Sequence, residues 1–227
     1  ADYYYRLGEK VKLAVYRSCF DINKGLIADL PEKTSYSQHA NILAVITNTI
    51  SSESQKQIMR NVLSDKSLSQ CSYYFMFYLA EAMGKSGIAD EYASQLKPWK
   101  QMLDLGLTTF TEEPEPTRSD CHAWSSSPLY FFLSMVSGIM PNEPGFRTVK
   151  IEPNLGKLRW IEATMPHVEG DIRVYLQNDN LKNELKGKVT LPGNLAGQFI
   201  WKGNIVKLKT GINFIDLKSK QQCSLLK

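Results

Sequence analysis

The chain has 227 residues, a formal net charge of +4, 43% hydrophobic and 22% charged residues, the composition of an ordinary globular protein forming one large domain or two small ones. Its longest apolar runs fall well short of the ~18 residues of a membrane span, so neither a membrane span nor a signal peptide is read from it. Cys19, Cys71, Cys121 and Cys223 stand far apart without a CxxC pair, which excludes an obvious zinc site or dithiol redox motif.

Residues 2–19 are predicted as the first helix, with Tyr4, Leu7, Val11, Ala14 and Val15 on one face from the outset. There is no initiator Met and no polar lead-in, so the chain is expected to be the C-terminal piece of something longer. A loop from Leu26 to Thr34 follows, and Ser35 or Ser37 is placed to cap a second helix running through His39 to Ile50. Ser52 or Ser54 caps a third, with Ile58, Met59, Val62 and Leu63 on one side. The fourth, Cys71 to Met83, is apolar nearly all round and reads as buried between others. Ile88 to Leu105 makes a fifth, broken or kinked at Pro98. The sixth spans Ser127 to Ile139, with Pro128 in its first turn. Short and long connections alternate, which predicts about three antiparallel helical hairpins with the long loops, 26–34 and 107–126, at one end.

From Arg147 the apolar period switches to two. Strands are predicted at 147–152, 158–165, 171–177, 182–190, 197–201, 204–209 and 212–217, with turns at Gly156, Gly170, Gly193, Gly203 and Gly211. This is the pattern of an antiparallel β-sandwich. Charge steps at the same place. Residues 1–146 hold 13 Lys/Arg and 16 Asp/Glu, and residues 147–227 hold 14 and 7, together the 27 and 23 of the whole chain. The domains are therefore drawn as 1–145, helical hairpins, and 146–227, sandwich. The lysine pairs Lys186/Lys188 and Lys207/Lys209 recur at strand spacing without interleaved aromatics, the mark of a solvated sheet face and not of a nucleic-acid binder.

The loop from Leu107 to Pro128 concentrates chemistry: Glu112, Glu113, Glu115, Arg118, Asp120, His122 and Trp124, with Pro114 and Pro116 keeping its acidic part out of helix. Carboxyls beside a histidine and an aromatic ring suit sugar chemistry, in which carboxyls move protons and rings meet sugar faces. A solvated acidic loop gives the same composition. Residue type alone does not choose between Glu112 and Glu113. Cys121 beside His122 is not a thiol–imidazole pair, because neighbours on an extended segment point apart. Trp124 can stack on a sugar or pack within the fold. Gln38 and His39 open a helix at the loop end of the bundle, where Gln38 can meet a ring hydroxyl; a helix cap and a core histidine is the alternative. His167 reads as structural. No cluster of oxygen ligands or metal ligands is legible, so no cofactor and no metal are expected.

Leu107-Thr-Thr-Phe-Thr-Glu112 resembles the Thr-Thr-x-x-Glu segment of the bacterial α-L-rhamnosidases, glycoside hydrolase family 78. Asp120 to Pro128, Val136 to Pro141, Pro144-Gly-Phe146 and, upstream, Tyr36 to Asn41 are similar to further segments of that family in the same order. The resemblance implies that the hairpins are half of an (α/α)6 toroid followed by a C-terminal β-domain. It implies an inverting glycosidase acting on terminal α-L-rhamnose of glycans or glycosides, periplasmic or extracellular. By register it gives Glu112 as the general base and His122 as a sugar contact; Trp124 and Gln38 are further binding candidates by residue type and position alone. The family's general acid lies in an upstream motif with no counterpart in residues 1–106, so the chain is expected to carry the base side only and to be inactive by itself. Self-association through the outward apolar faces of the first and last helices is expected too. The competing reading is a non-catalytic carbohydrate-binding or scaffold module on the same framework.

Overall fold

The computed structural model describes residues 1–219. They divide into two compact units, Ala1–Pro128 and the part from Leu129 onward.

The first unit is helical. Helix α1, Asp2–Cys19, buries none of its residues, and Tyr3, Tyr4, Leu7 and Val11 are exposed. It leads into a hairpin of two-residue strands, β1 (Phe20–Asp21) and β2 (Leu26–Ile27), the second of which falls in the stretch expected to be loop. Helix α2, Gln38–Ile46, starts at Ser37, whose hydroxyl accepts from the Ala40 N–H. It stops four residues short of the expected Ile50, because Asn48 takes a left-handed backbone (φ 55°) and closes the last turn. Asn41, fully buried, accepts from the Ile27 N–H and donates to the Ile27 carbonyl, which ties the hairpin to α2. Helix α3, Ser52–Ser64, buries Ile58, Met59 and Val62, the side its spacing predicts. Helix α4 begins only at Met76 and runs to Lys85; residues 71–75 are not helical, contrary to expectation. Pro98 divides the next segment into a 3-10 turn, Ala89–Gln95, and helix α5, Lys97–Asp104, with the proline in its first turn. The core gathers Ile42 and Val45 of α2, Met59 and Val62 of α3, and Leu79 and Met83 of α4.

The expected sixth helix is shorter and composite: a 3-10 turn at Ala123–Ser126, helix α6 at Ser127–Phe131, and one π-helical turn at Phe132–Val136. Gly138 then admits strand β3, Ile139–Pro141, which takes Ile139, the expected last residue of that helix, and lies outside the strands predicted.

The second unit is a sandwich of two four-stranded sheets. One has the order β10-β7-β6-β5 and is wholly antiparallel, from β5 (Trp160–His167), β6 (Gly170–Asp179), β7 (Glu184–Leu191) and β10 (Gly211–Lys218). The other has the order β3-β4-β8-β9, from β3, β4 (Thr148–Ile151), β8 (Ala196–Trp201) and β9 (Asn204–Leu208). The β4–β8 pair is parallel, so this sheet is mixed. The alternation Ile172, Val174, Leu176 on β6, with Phe199 and Trp201 on β8, supplies the buried layer.

Gly138 is fixed by two constraints at once. Its φ is +70°, and a Cβ there would lie 2.1 Å from the carbonyl carbon of Glu152, whose N–H donates to the Gly138 carbonyl. A left-handed non-glycine residue alone costs about 1–3 kcal/mol, and the backbone collision adds to it. Gly138→Ala is therefore expected to lower the stability of the sandwich by at least ~2 kcal/mol in urea unfolding; a midpoint equal to wild type would contradict this close approach.

Candidate active-site loop

Residues 107–126 are anchored at both ends by one aromatic cluster. Tyr73, Trp99 and Met102 form a buried group against which Leu107 and Phe110 pack. The Trp99 indole N–H donates to the Ser125 carbonyl at 2.6 Å and so holds the far end of the loop. Between the anchors the chain doubles back like a hairpin. The His122 N–H donates to the Phe110 carbonyl at 2.7 Å, the Glu112 N–H to the Ser119 carbonyl at 2.9 Å, and the Thr109 hydroxyl to the Asp120 carbonyl. Pro114 and Pro116 occupy the tip, where neither has an N–H to leave unpaired.

The two candidate glutamates separate to different surroundings. Thr111 is buried, and Glu113 lines a cavity of about 380 Å³ with Tyr73, Met102, Leu105 and Pro114. Glu112 lies on the side of His122 and Arg118. Arg118 Nε donates to Glu112 Oε2 at 2.9 Å and its Nη2 meets Oε1, a two-point guanidinium–carboxylate pair. Hydrogen bonding to Arg118 holds the Glu112 carboxyl below its ordinary value; partial burial opposes this, and the Arg118 and His122 charges reinforce it. The Glu112 side chain is only 18% exposed, whereas that of Arg118 is 77% exposed.

His122 and Trp124 meet edge to face, ring centroids 5.3 Å apart. Trp124 is 64% exposed, so its ring is not packed away. It continues a row of rings: Trp124 to Tyr74 at 4.9 Å, Tyr74 to Tyr78 at 6.0 Å, Tyr78 to Phe75 at 5.0 Å, and Phe75 to His39 at 4.4 Å. A hydrogen bond to Tyr78 raises the Tyr74 phenol above its usual pKa.

Glu112, His122 and Trp124 are thus brought together, and Gln38 does not join them. Gln38 is 5% exposed, and its amide is used internally. Nε2 donates to the Val62 carbonyl and to Gln70 Oε1, and Oε1 accepts from the Cys71 N–H. The residue of that helix start that reaches the aromatic row is its neighbour His39. Sequence reasoning also missed Arg118 as the partner of Glu112, and missed Tyr74 and Tyr78. The tyrosines lie in a run whose apolar character predicts buried helix. Because residues 71–75 precede α4 as turn, Tyr74 faces outward, 42% exposed. His167, in the sandwich, uses both ring nitrogens on backbone, at the Phe146 carbonyl and the Glu169 N–H. Burial raises the Cys71 thiol to about 11, far from a reactive thiolate. Among the described residues no group of His, Cys, Asp and Glu is placed to hold a metal ion.

Residues 138–200 match the family model of the bacterial alpha-L-rhamnosidase C-terminal domain. This chain is α-L-rhamnosidase-like. Among solved structures it is similar to the GH78 family rhamnosidase of Bacillus sp. GL1, with 25% identity and a TM-score of 0.73 over 84% of this chain and 22% of that one. The native α-L-rhamnosidase of Aspergillus terreus shares the fold at 16% identity and a TM-score of 0.78, covering 98% of this chain and 27% of that one. The Streptomyces avermitilis α-L-rhamnosidase, solved in complex with L-rhamnose, shares it at 17% identity and a TM-score of 0.75, covering 95% and 24%. A search of curated protein sequences returns no match. The rhamnosidase-like chain thus spans about a quarter of the length of these relatives. Its order of helical part and then sandwich is theirs.

Proposed function

We propose that this chain supplies the general-base side of an inverting glycosidase site that removes terminal α-L-rhamnose. The observation that carries the reading is the convergence of the Glu112 carboxylate, the His122 imidazole and the exposed Trp124 ring on one side of one anchored loop. The L-rhamnose held by the Streptomyces avermitilis relative supports that sugar as ligand.

In this reaction Glu112 takes a proton from a water molecule as its oxygen attacks the anomeric carbon. The bond from that carbon to the glycosidic oxygen breaks on the opposite face, and a carboxylic acid from outside this chain protonates the leaving oxygen. Inversion needs the two carboxyls roughly 6.5–9.5 Å apart, so that the water fits between base and sugar. The two ring nitrogens of His122 suit sugar hydroxyls, and Trp124 with Tyr74 offers a ring surface for the apolar face of the sugar. Arg118, on its exposed side chain, can swing away and free the carboxylate for water. Lacking the acid, the isolated chain is inactive, and the exposed apolar stripe of α1 supports its self-association through that face. The reading is tested on the whole protein by proton NMR of an aryl α-L-rhamnoside during turnover. β-L-Rhamnose is expected as the first product, and α-L-rhamnose as the first product would overturn it.

The Arg118 pair sets a pH dependence. A base must be ionised, and a lowered pKa keeps Glu112 ionised to lower pH, so the acid limb of kcat/KM is expected below the ordinary glutamate value of 4.5. Arg118→Gln removes the largest cause of that lowering, and the limb should move up in pH. An acid limb that stays in place in this variant would detach Glu112 from the rate.

A further inference from the structure

A second arrangement of rings and hydrogen-bonding groups lies in the sandwich, on the outer face of the sheet formed by β5, β6, β7 and β10. Strand alternation turns Ile172, Val174 and Leu176 inward and Arg173, Tyr175 and Gln177 outward. Register then sets Glu162, Tyr175, Lys188 and Phe214 side by side across the four strands. The row beside it contains Thr164, Arg173, Thr190 and Ile212. A depression of about 590 Å³ opens over these two rows, lined among others by Glu162, Thr164, Arg173, Tyr175, Lys188 and Ile212. That volume lies within the range of small-ligand sites, about 300–1,000 Å³.

We propose that this face is a glycan-binding site, taking neutral pyranose units of a polysaccharide chain. Phe214 is 82% and Ile212 63% exposed, which puts apolar surface in contact with water among the charged and polar side chains of this face. The Gln177 amide donates to the Tyr175 hydroxyl at 2.9 Å, which fixes the direction of that ring. Among the described residues Glu162 and Lys188, on either side of Tyr175, have no ion-pair partner, whereas Arg173 pairs with Asp171 at 3.2 Å. An unpaired acceptor and an unpaired donor flanking a ring match a sugar, which offers an apolar C–H face and a rim of hydroxyls that both donate and accept. A nucleic acid needs a face of one positive sign, and Glu162 and Asp171 break it. A protein partner favours rings gathered in a dry centre with polar groups at the rim, whereas here the charged Lys188 stands between the rings of Tyr175 and Phe214. The site shares no residue with the Glu112 loop and does not rest on the reading of that loop.

Affinity electrophoresis of the 227-residue chain in gels containing neutral galactomannan, xyloglucan or arabinogalactan tests this. At least one polysaccharide should retard the wild type. Tyr175→Ala and Phe214→Ala should each weaken the interaction at least tenfold, Lys188→Ala about threefold, and Glu112→Gln and His122→Ala less than twofold. Phe214 and Lys188 are exposed, so their variants keep the test valid should Tyr175→Ala not fold. No retardation by any of the three gels overturns the proposal. So does retardation that survives Phe214→Ala and Lys188→Ala but is lost in His122→Ala. Sedimentation showing that Phe214→Ala instead dissolves a dimer would make the face a protein interface and overturn it as well.

Discussion

Replacing Glu112 by Gln in the whole protein is expected to lower kcat on aryl α-L-rhamnosides by about 10²–10⁴-fold, the usual contribution of a positioned general base. Binding of free L-rhamnose should stay within a few-fold of wild type, because the amide keeps the shape of the carboxylate and loses only its ability to take a proton. Glu113→Gln is the matched control. Glu113 faces the cavity beside Tyr73 and Met102, and Glu112 faces Arg118 and His122. The Glu113 change should therefore alter kcat less than about threefold, within the scatter of surface substitutions. His122→Ala should weaken rhamnose binding as well as turnover, since it removes a contact made in the ground state. A Glu112→Gln enzyme within a few-fold of wild type, with Glu113→Gln inactive, would move the base across the loop.

Trp99→Ala is expected to have the largest effect on stability in the helical unit. The indole is buried, lies 5.9 Å from the Tyr73 ring, joins Met102 in the cluster that receives Phe110, and donates to the Ser125 carbonyl. Truncating a buried Trp costs about 3–5 kcal/mol through lost transfer energy and the cavity left behind, and the orphaned Ser125 carbonyl adds to it. Both ends of the Glu112 loop lose their anchor together. Equilibrium urea unfolding followed by near-ultraviolet dichroism measures this. Trp99→Phe separates the two causes: it keeps most of the apolar area and leaves the carbonyl unpaired, for about 1–3 kcal/mol. A Trp99→Ala loss below ~1 kcal/mol would show that the loop is held by something else.

Local chemistry explains what was legible in advance. Ser37 as a cap, Pro98 as a break, Pro128 in a first helical turn and the alternation of β5 to β10 each depend on a few neighbouring residues, and each stands as expected. Glu112 and His122 stand out as candidates only through segments that resemble those of a known family, and their roles remain a proposal. The features that escaped depend on partners far along the chain. Residues 139–141 become a strand because β4 offers an edge after Gly138, and β4 pairs in parallel with β8, some fifty residues later. The choice between Gln38 and His39 is a matter of helix phase, settled by the Val62 carbonyl, Gln70 and Cys71 on one side and Phe75 on the other. Asn48 did carry a local signal, since asparagine tolerates the left-handed backbone that ends α2. Arg118 sits six residues from Glu112, and only the hairpin of the loop brings them together.

Whether Glu112 activates the water that attacks the sugar is tested by a crystal structure of the whole protein with L-rhamnose or a rhamnose-shaped inhibitor bound. Arg118 is expected to be displaced from the carboxylate, with an ordered water about 2.6–3.2 Å from a Glu112 oxygen and aligned on the anomeric carbon. A His122 nitrogen should lie on a ring hydroxyl of the same sugar. A water held on the anomeric carbon by Glu113 or another carboxylate, with Glu112 still clamped by Arg118, would contradict it.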